Sequence, residues 1–282
     1  MNIGIIGLGL IGGSMARAIR SNTQHKIFGM DTDDSVVLKA KLFEVIDDEL
    51  TPDGIALCDT LIIALHPAVA EDWLAANAAG IKKDTVVVDC CGVKRGICAL
   101  GFELAQKHGF TFIGGHPMAG TEKWGFEYSD GTLFRNASMI LTPPADIDIA
   151  VLEGVKKFFL SLGFGKVVLS TPEEHDIIIA YTSQLAHVLS SSYIKSDTAL
   201  KHTGFSAGSF KDMTRVATLS EDMWTVLFLQ NRDNLLNELD TLIANLSAYR
   251  SVIKSENAAE LKAMLREGKE RKAFVSSIEG PK

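Results

Sequence analysis

The chain has 282 residues, room for two domains of ordinary size. Hydrophobic residues make up 46% and charged residues 22%, the balance of a globular protein rather than a disordered one. A formal net charge of -7 argues against a nucleic-acid partner, which would need a basic stripe, and requires any anionic substrate to find a local Lys or Arg.

Asn2 to Ile6 is a short apolar run and reads as a buried strand. Gly7-Leu8-Gly9-Leu10-Ile11-Gly12 follows at once, and Gly13 to Arg20 carries helical periodicity. This strand–turn–helix setting gives the glycine fingerprint its meaning. Gly7 permits the tight turn, Gly9 lets backbone approach a pyrophosphate, and Gly12 lets helix and strand pack closely. With Leu10 and Ile11 they form a cofactor-binding set, and the helix N-terminus offers its free N–H groups to phosphate. A second strand, Lys26 to Met30, ends at Asp31. That acid lies about 20 residues beyond the fingerprint, where a Rossmann fold holds the ribose hydroxyls. No arginine stands near Thr32-Asp33-Asp34 to receive a 2′-phosphate, so NAD is expected over NADP.

Helices and strands then alternate. Ser35 to Phe43 reads as a helix, Thr60 to Leu65 as a strand, Ala68 to Ala79 as a helix and Thr85 to Asp89 as a valine-rich strand. Leu65 and Asp89, each at a strand end, complete the cofactor-binding set. Val93 to His108 reads as a helix, Phe110 to Ile113 as a strand, Ser138 to Leu141 as a strand, Ile147 to Leu162 as a helix and Lys166 to Leu169 as a last strand. The alternation implies a doubly wound, mostly parallel α/β sheet. After Ser170-Thr171-Pro172-Glu173-Glu174, a helix start, no strand follows. Helices are expected over 174–193, 210–217, 221–253 and 258–274. The division expected is therefore residues 1–170 as an NAD-binding Rossmann domain and 171–282 as an all-α domain. Leu227, Leu235, Leu236, Leu239, Leu242, Ile243 and Leu246 form an apolar stripe that serves either a core or a dimer interface.

Cys58, Cys90, Cys91 and Cys98 form no CxxC pair and no metal-ligand spacing, so no metal is expected, and the four read as buried thiols in a reducing compartment. The N-terminus opens directly into a strand without a basic n-region, and no run reaches the roughly 18 apolar residues of a membrane span. A cytoplasmic protein without membrane contact is expected.

The chemistry is expected at Gly114-Gly115-His116-Pro117-Met118-Ala119-Gly120-Thr121-Glu122-Lys123. Two glycines are expected to end the strand, and Pro117 pushes His116 toward extended geometry. A histidine at the carboxyl end of a strand in an α/β sheet points into the ligand crevice and accepts a proton near neutral pH.

These segments, with Asp89-Cys90-Cys91-Gly92-Val93-Lys94, Pro172-Glu173-Glu174-His175-Asp176, Phe210-Lys211-Asp212-Met213-Thr214-Arg215, Met223-Trp224 and Asn231, resemble the prephenate dehydrogenase family of tyrosine biosynthesis over nearly the whole chain. The resemblance implies an N-terminal Rossmann domain, a helical dimerisation domain and a homodimer. It implies NAD-dependent oxidative decarboxylation of prephenate to 4-hydroxyphenylpyruvate, or the equivalent reaction of arogenate. His116 matches the family histidine that binds and deprotonates the ring hydroxyl, and Arg215 the arginine that pairs with a substrate carboxylate. Thr121, Glu122, Lys211, His175, His187 and Trp224 fall at positions that line or support the substrate pocket. Gly92 stands where the family usually has a serine beside the histidine, and Gln184 where it often has a histidine. Those two departures also support a reading from another class, an NAD-binding regulatory protein without catalysis.

Overall fold

A computed structural model describes residues 1–121 and 123–278. Its strands are β1 (Asn2–Ile6), β2 (Lys26–Met30), β3 (Asp48–Glu49), β4 (Thr60–Ile63), β5 (Val86–Asp89), β6 (Thr111–Pro117), β7 (Ser138–Thr142) and β8 (Lys166–Leu169). They form one sheet in the order β3-β2-β1-β4-β5-β6-β7-β8. Every neighbouring pair is parallel except β6 and β7. The helices are α1 (Leu10–Asn22), α2 (Asp34–Leu42), α3 (Pro52–Ile55), α4 (Pro67–Asn77), α5 (Arg95–His108), α6 (Ile149–Ser161), α7 (Pro172–Ile179), α8 (Leu185–Tyr193), α9 (Gly208–Thr214), α10 (Glu221–Gln230), α11 (Arg232–Lys254) and α12 (Ala258–Ile278). No helix among the described residues is long and apolar enough to cross a membrane.

The central strands bury both faces, as a parallel sheet covered by helices does, while the edge strands β3 and β8 are largely exposed. Ile3, Ile5, Ile62, Val88 and Ile113 pack with Met15 and Ile19 of α1 and Phe159 of α6. Ile6, Leu61, Ile63, Val87 and Phe112 pack on the other side with Leu74 of α4 and Ile97 and Cys98 of α5. All four cysteines are unpaired, and Cys58, Cys91 and Cys98 are buried.

Two expectations change along the first half. Residues 48–49 add the short edge strand β3, too brief to show periodicity in the sequence. Gly114 and Gly115 do not end their strand: β6 leaves β5 after Ile113 and runs on to Pro117, pairing antiparallel with β7 so that His116 lies opposite Ile140. The glycines are needed for close approach rather than for a turn. A Cβ on Gly114 would lie 2.1 Å from Thr142 Oγ1, and one on Gly115 2.4 Å from the Asp89 carbonyl oxygen.

The change from strands to helices falls after Leu169, but compactness divides the chain elsewhere. One unit is Met1–Arg232 and the other Asp233–Lys282. The reason is visible at α7. Thr171 Oγ1 caps it by accepting the Glu174 N–H at 3.1 Å, and the Asp176 carboxylate accepts the Lys94 N–H at 2.7 Å and the Arg95 N–H at 3.0 Å. The first helix past the sheet thereby caps the start of α5 and is held in the sheet's own unit. Two long helices expected in this half are interrupted. A π-helical turn, Ala180–Gln184, separates α7 from α8. Asn231, fully buried, breaks 221–253 into α10 and α11 because its side chain is bound to its neighbours below. In the second unit, α11 and α12 are joined by a turn, with Asn257 Oδ1 accepting the Glu260 N–H at 3.2 Å to cap α12. Leu236, Ile243 and Leu246 of α11 are exposed.

Candidate active site

The glycine-rich turn between β1 and α1 is built for a close ligand. Gly7 has φ +86°, and a Cβ there would lie 2.6 Å from the Ala64 carbonyl oxygen and 2.8 Å from Leu65 Cδ2. A Cβ on Gly12 would lie 1.8 Å from the Gly7 carbonyl oxygen, so both positions admit only glycine. Around Gly9 a Cβ would meet nothing within 4 Å, and no side chain caps α1. The open space and the uncapped N–H groups of α1, which begins at the half-buried Leu10 and Ile11, form a cradle for a phosphate-bearing group. Asp31 is fixed at the end of β2: its carboxylate accepts the Leu8 N–H at 2.8 Å and the Asp33 N–H at 3.1 Å. Leu65 borders the same turn. These residues fit a dinucleotide.

Asp89 differs from this set. It is fully buried, ion-paired with the Lys94 ammonium, and accepts the Cys91 N–H at 2.8 Å and the Gly115 N–H at 3.0 Å. It organises the turn that follows β5.

His116 stands at the head of a hydrogen-bond chain. Its Nδ1 lies 2.9 Å from His175 Nε2, and His175 Nδ1 lies 2.8 Å from Asp176 Oδ1. An ionised carboxylate only accepts, so His175 Nδ1 carries the hydrogen and His175 Nε2 is the acceptor. His116 Nδ1 must then donate, which leaves His116 Nε2 unprotonated. Burial pushes the Asp176 carboxyl up, but the hydrogen bonds from His175 and the Arg95 and Lys94 N–H groups outweigh it and hold Asp176 below the usual carboxylate value. Burial, then the neighbouring His175 and the Lys94 charge, hold His116 well below an ordinary imidazole. Burial also lowers His175, against the raising effect of its bond to Asp176. Both rings are neutral at physiological pH, with His116 Nε2 ready to accept a proton.

Gly92 faces this nitrogen. A Cβ on it would sit 4.0 Å from His116 Nε2 and 3.3 Å from Leu227 Cδ2. Leu227 belongs to α10, and Trp224 lies three residues earlier on the same side. The Trp224 ring stacks on His187 at 3.7 Å between centroids. His187 Nδ1 donates to the Ser183 carbonyl at 2.9 Å; burial and the nearby Arg215 charge lower its pKa against that bond. A chain of neighbours therefore runs from His116 through Gly92 to Leu227, and from Trp224 on the same helix through His187 to the Arg215 charge. Gln184 is buried, donates to the Leu227 carbonyl at 2.9 Å and accepts from Asn231 at 2.9 Å. Asn231 also donates to the Asp176 carbonyl at 2.8 Å and accepts from Arg95 at 3.1 Å.

Thr121 and Lys211 are exposed, and Thr121 Oγ1 bonds the backbone of Lys123 at 3.2 Å rather than a site residue. Glu122 lies outside the described residues. Sequence reasoning missed the joining of His116 to His175–Asp176, the Asp89–Lys94 pair and the Gln184–Asn231 tie. The signal that could have suggested the first is the His-Asp dipeptide in the opening turns of α7.

The family model described as the prephenate dehydrogenase nucleotide-binding domain matches residues 15–197, and the one described as the prephenate dehydrogenase dimerization domain matches 171–267. The chain is 32% identical to the prephenate dehydrogenase of Bacillus subtilis, over 91% of this chain and 71% of that protein. It is 31% identical to the cyclohexadienyl dehydrogenase of Zymomonas mobilis, over 91% and 89%. Among solved structures, prephenate dehydrogenase from Aquifex aeolicus in complex with hydroxyphenyl propionate and NAD+ matches with TM-score 0.83 and 28% identity over 98% of each chain. Synechocystis arogenate dehydrogenase matches with TM-score 0.83 and 26% identity over 97% of this chain and 100% of that one.

Proposed function

The chain belongs to the prephenate dehydrogenase family, and from that premise we propose that it is an NAD-dependent dehydrogenase that converts prephenate to 4-hydroxyphenylpyruvate and carbon dioxide. The observation that carries this reading is the unprotonated Nε2 that the chain through His175 and Asp176 leaves on His116, beside the cleared space at Gly92.

His116 Nε2 takes the proton of the ring hydroxyl as the carbon bearing it loses a hydride and becomes a carbonyl. Bound NAD supplies the hydride acceptor. The bond from the ring to its carboxylate then breaks, carbon dioxide leaves, and its electron pair aromatises the ring. The resulting phenolate oxygen takes the proton back from His116. A positioned base of this kind contributes roughly 10²–10⁴-fold. Arg215 anchors a substrate carboxylate through its planar fork, near His187 and the Trp224 ring stacked on it. Thr121, Glu122 and Lys211 contribute to substrate binding, as the family positions they occupy imply. Gly7, Gly9, Leu10, Ile11, Gly12 and Leu65 seat the dinucleotide. Asp31 holds its ribose hydroxyls and repels a 2′-phosphate, which favours NAD over NADP.

Arogenate, which carries an amino group in place of the side-chain keto oxygen, is the second substrate to test, favoured by the likeness to the Synechocystis enzyme. We place the functional boundary at 170/171, supported by the dimerization-domain match beginning at 171. The exposed face of α11 then joins two chains into a homodimer, checked by light scattering at the mass of two chains. Free cysteines suit the reducing cytoplasm, where we place the enzyme. The deciding assay mixes purified protein with NAD and prephenate or arogenate and follows the absorbance of the reduced cofactor. Turnover with neither overturns the reading and favours a regulatory, non-catalytic protein.

A further inference from the structure

We propose that Lys94 is a positioning residue for the base, fixing both arms of the His116–His175–Asp176 chain from one buried point, with Asp89 as its counter-charge. This rests on the reading of His116 as the base.

The Lys94 side chain is fully buried. Its ammonium binds the Asp89 carboxylate and donates to the Gly115 carbonyl at 2.7 Å. Its main-chain N–H donates to Asp176 Oδ1 at 2.7 Å, the same oxygen that holds His175 Nδ1. One residue thus grips the strand immediately before His116 with its side chain, and the far end of the proton-ordering chain with its backbone.

The clamp on Gly115 answers a specific problem. Residue 115 must be glycine, because a Cβ would lie 2.4 Å from the Asp89 carbonyl oxygen. A glycine next to the base brings the most backbone freedom of any residue. Asp89 Oδ1 accepts the Gly115 N–H at 3.0 Å and Lys94 holds its carbonyl, so both peptide groups flanking that Cα are tied down. Stability alone does not explain such a pair, since replacing a buried ion pair with apolar residues is often neutral or stabilising. Fixing a geometry does.

The charge has a second effect. The titratable groups acting on His116 are His175 of α7, which carries Asp176 and its partner Arg95 behind it, and Lys94 from the turn after β5, paired with Asp89 at the end of that strand; Ile140 of β7, opposite His116, and Leu227 of α10, beside Gly92, carry no charge. Lys94 acts on both imidazoles to favour their neutral forms.

The test uses the intact enzyme carrying Lys94→Met with Asp89→Asn, which removes both charges and keeps an acceptor for the Gly115 N–H. With folding verified by circular dichroism and NAD titration, kcat is expected to fall by roughly tenfold to 10²-fold with KM little changed, as for a misplaced catalytic group. The acid limb of the kcat/KM profile is expected to move up in pH, because the Lys94 charge that lowers His116 is gone and Asp89 is not among the groups acting on that ring. Wild-type kcat and an unmoved limb overturn the proposal, and so does a lower kcat with the limb unmoved, which reports a merely structural loss. His116→Asn is run beside it: an active His116→Asn protein sinks the base reading, whereas an inactive one alongside an unchanged double variant sinks Lys94 alone. Should the double variant fail to fold, Lys94→Ala is assayed with and without propylammonium chloride, sodium chloride serving as control. Recovery of activity with the amine supports the proposal, and no recovery overturns it.

Discussion

At His116 the deciding quantity is which ring nitrogen carries the proton. Asp176 settles it two residues away through His175, without touching the base. His116→Asn keeps a hydrogen-bonding side chain but no basicity, and kcat is expected to fall by about 10²-fold or more. The pH dependence follows from the sign of the shift. Because the folded pKa lies below the ordinary 6.5, the base form persists through neutrality, and kcat/KM falls only on the acid side of that value. Between the lowered pKa and 6.5 the unfolded chain binds more protons than the fold, so stability falls with acid across the same window. Arg215→Ala is expected to raise KM by roughly tenfold to a hundredfold with a smaller change in kcat, the worth of a charged hydrogen bond made mainly in the ground state. An unchanged KM moves the anchor to another cation, Lys211 first. Gly92→Ser should fold and keep activity: Gly92 is not among the positive-φ glycines, and its new Cβ would meet a flexible Leu227 methyl at 3.3 Å. A folded but inactive Gly92→Ser enzyme points to a reshaped pocket and a substrate other than prephenate. At this scale the sequence could single out His116 as a candidate, because a histidine before proline after an apolar run is a local pattern. It could not show His175 as its partner, since 59 residues separate them and only the docking of α7 brings them together.

At the scale of elements, α7 carries the most consequence for its length, since His175 and Asp176 both sit on its 8 residues. So short a helix depends on its cap and its packing. Thr171→Ala removes the acceptor for the Glu174 N–H and is expected to cost about 1 kcal/mol, a fall in melting temperature of roughly 2–4 °C. It should also lower kcat, because the base loses its ordered partner, and Thr171→Ser should restore both. A melting-temperature loss with kcat intact means that tertiary contacts alone hold His175. The Thr-Pro-Glu-Glu start of this helix was plain in the sequence, as local chemistry is. The breaks at Ala180–Gln184 and Asn231 were not. Each falls where a buried amide leaves its helix's pattern to bond a neighbouring segment, and apolar periodicity continues across it.

Across the whole molecule, the alternation of strands and helices made the sheet legible, whereas the compact boundary at Arg232 was not. A boundary depends on which helices pack back onto the sheet's unit, and the carboxylate of Asp176 is one residue among many in composition. The stripe from Leu227 to Leu246 divides accordingly: Leu227 is buried beside Gly92, while Leu236, Ile243 and Leu246 are exposed. The buried cysteines carry a last consequence, in chemical reactivity. Burial raises the Cys58 thiol to about 11 and the Cys98 thiol to about 12, and holds Cys91 well above an ordinary thiol. The thiolate is the form that attacks an alkylating reagent, so in the native chain these three sulfurs are shielded both from contact and from ionisation. Iodoacetamide should leave these three sulfurs unlabelled for as long as the core stays closed. Labelling of Cys58 on β4's side of the sheet and Cys98 in α5 should then proceed together, at the rate of global opening, which makes the chain its own clock for unfolding. Labelling of Cys98 well before Cys58 would instead reveal that the helix behind the base opens by itself.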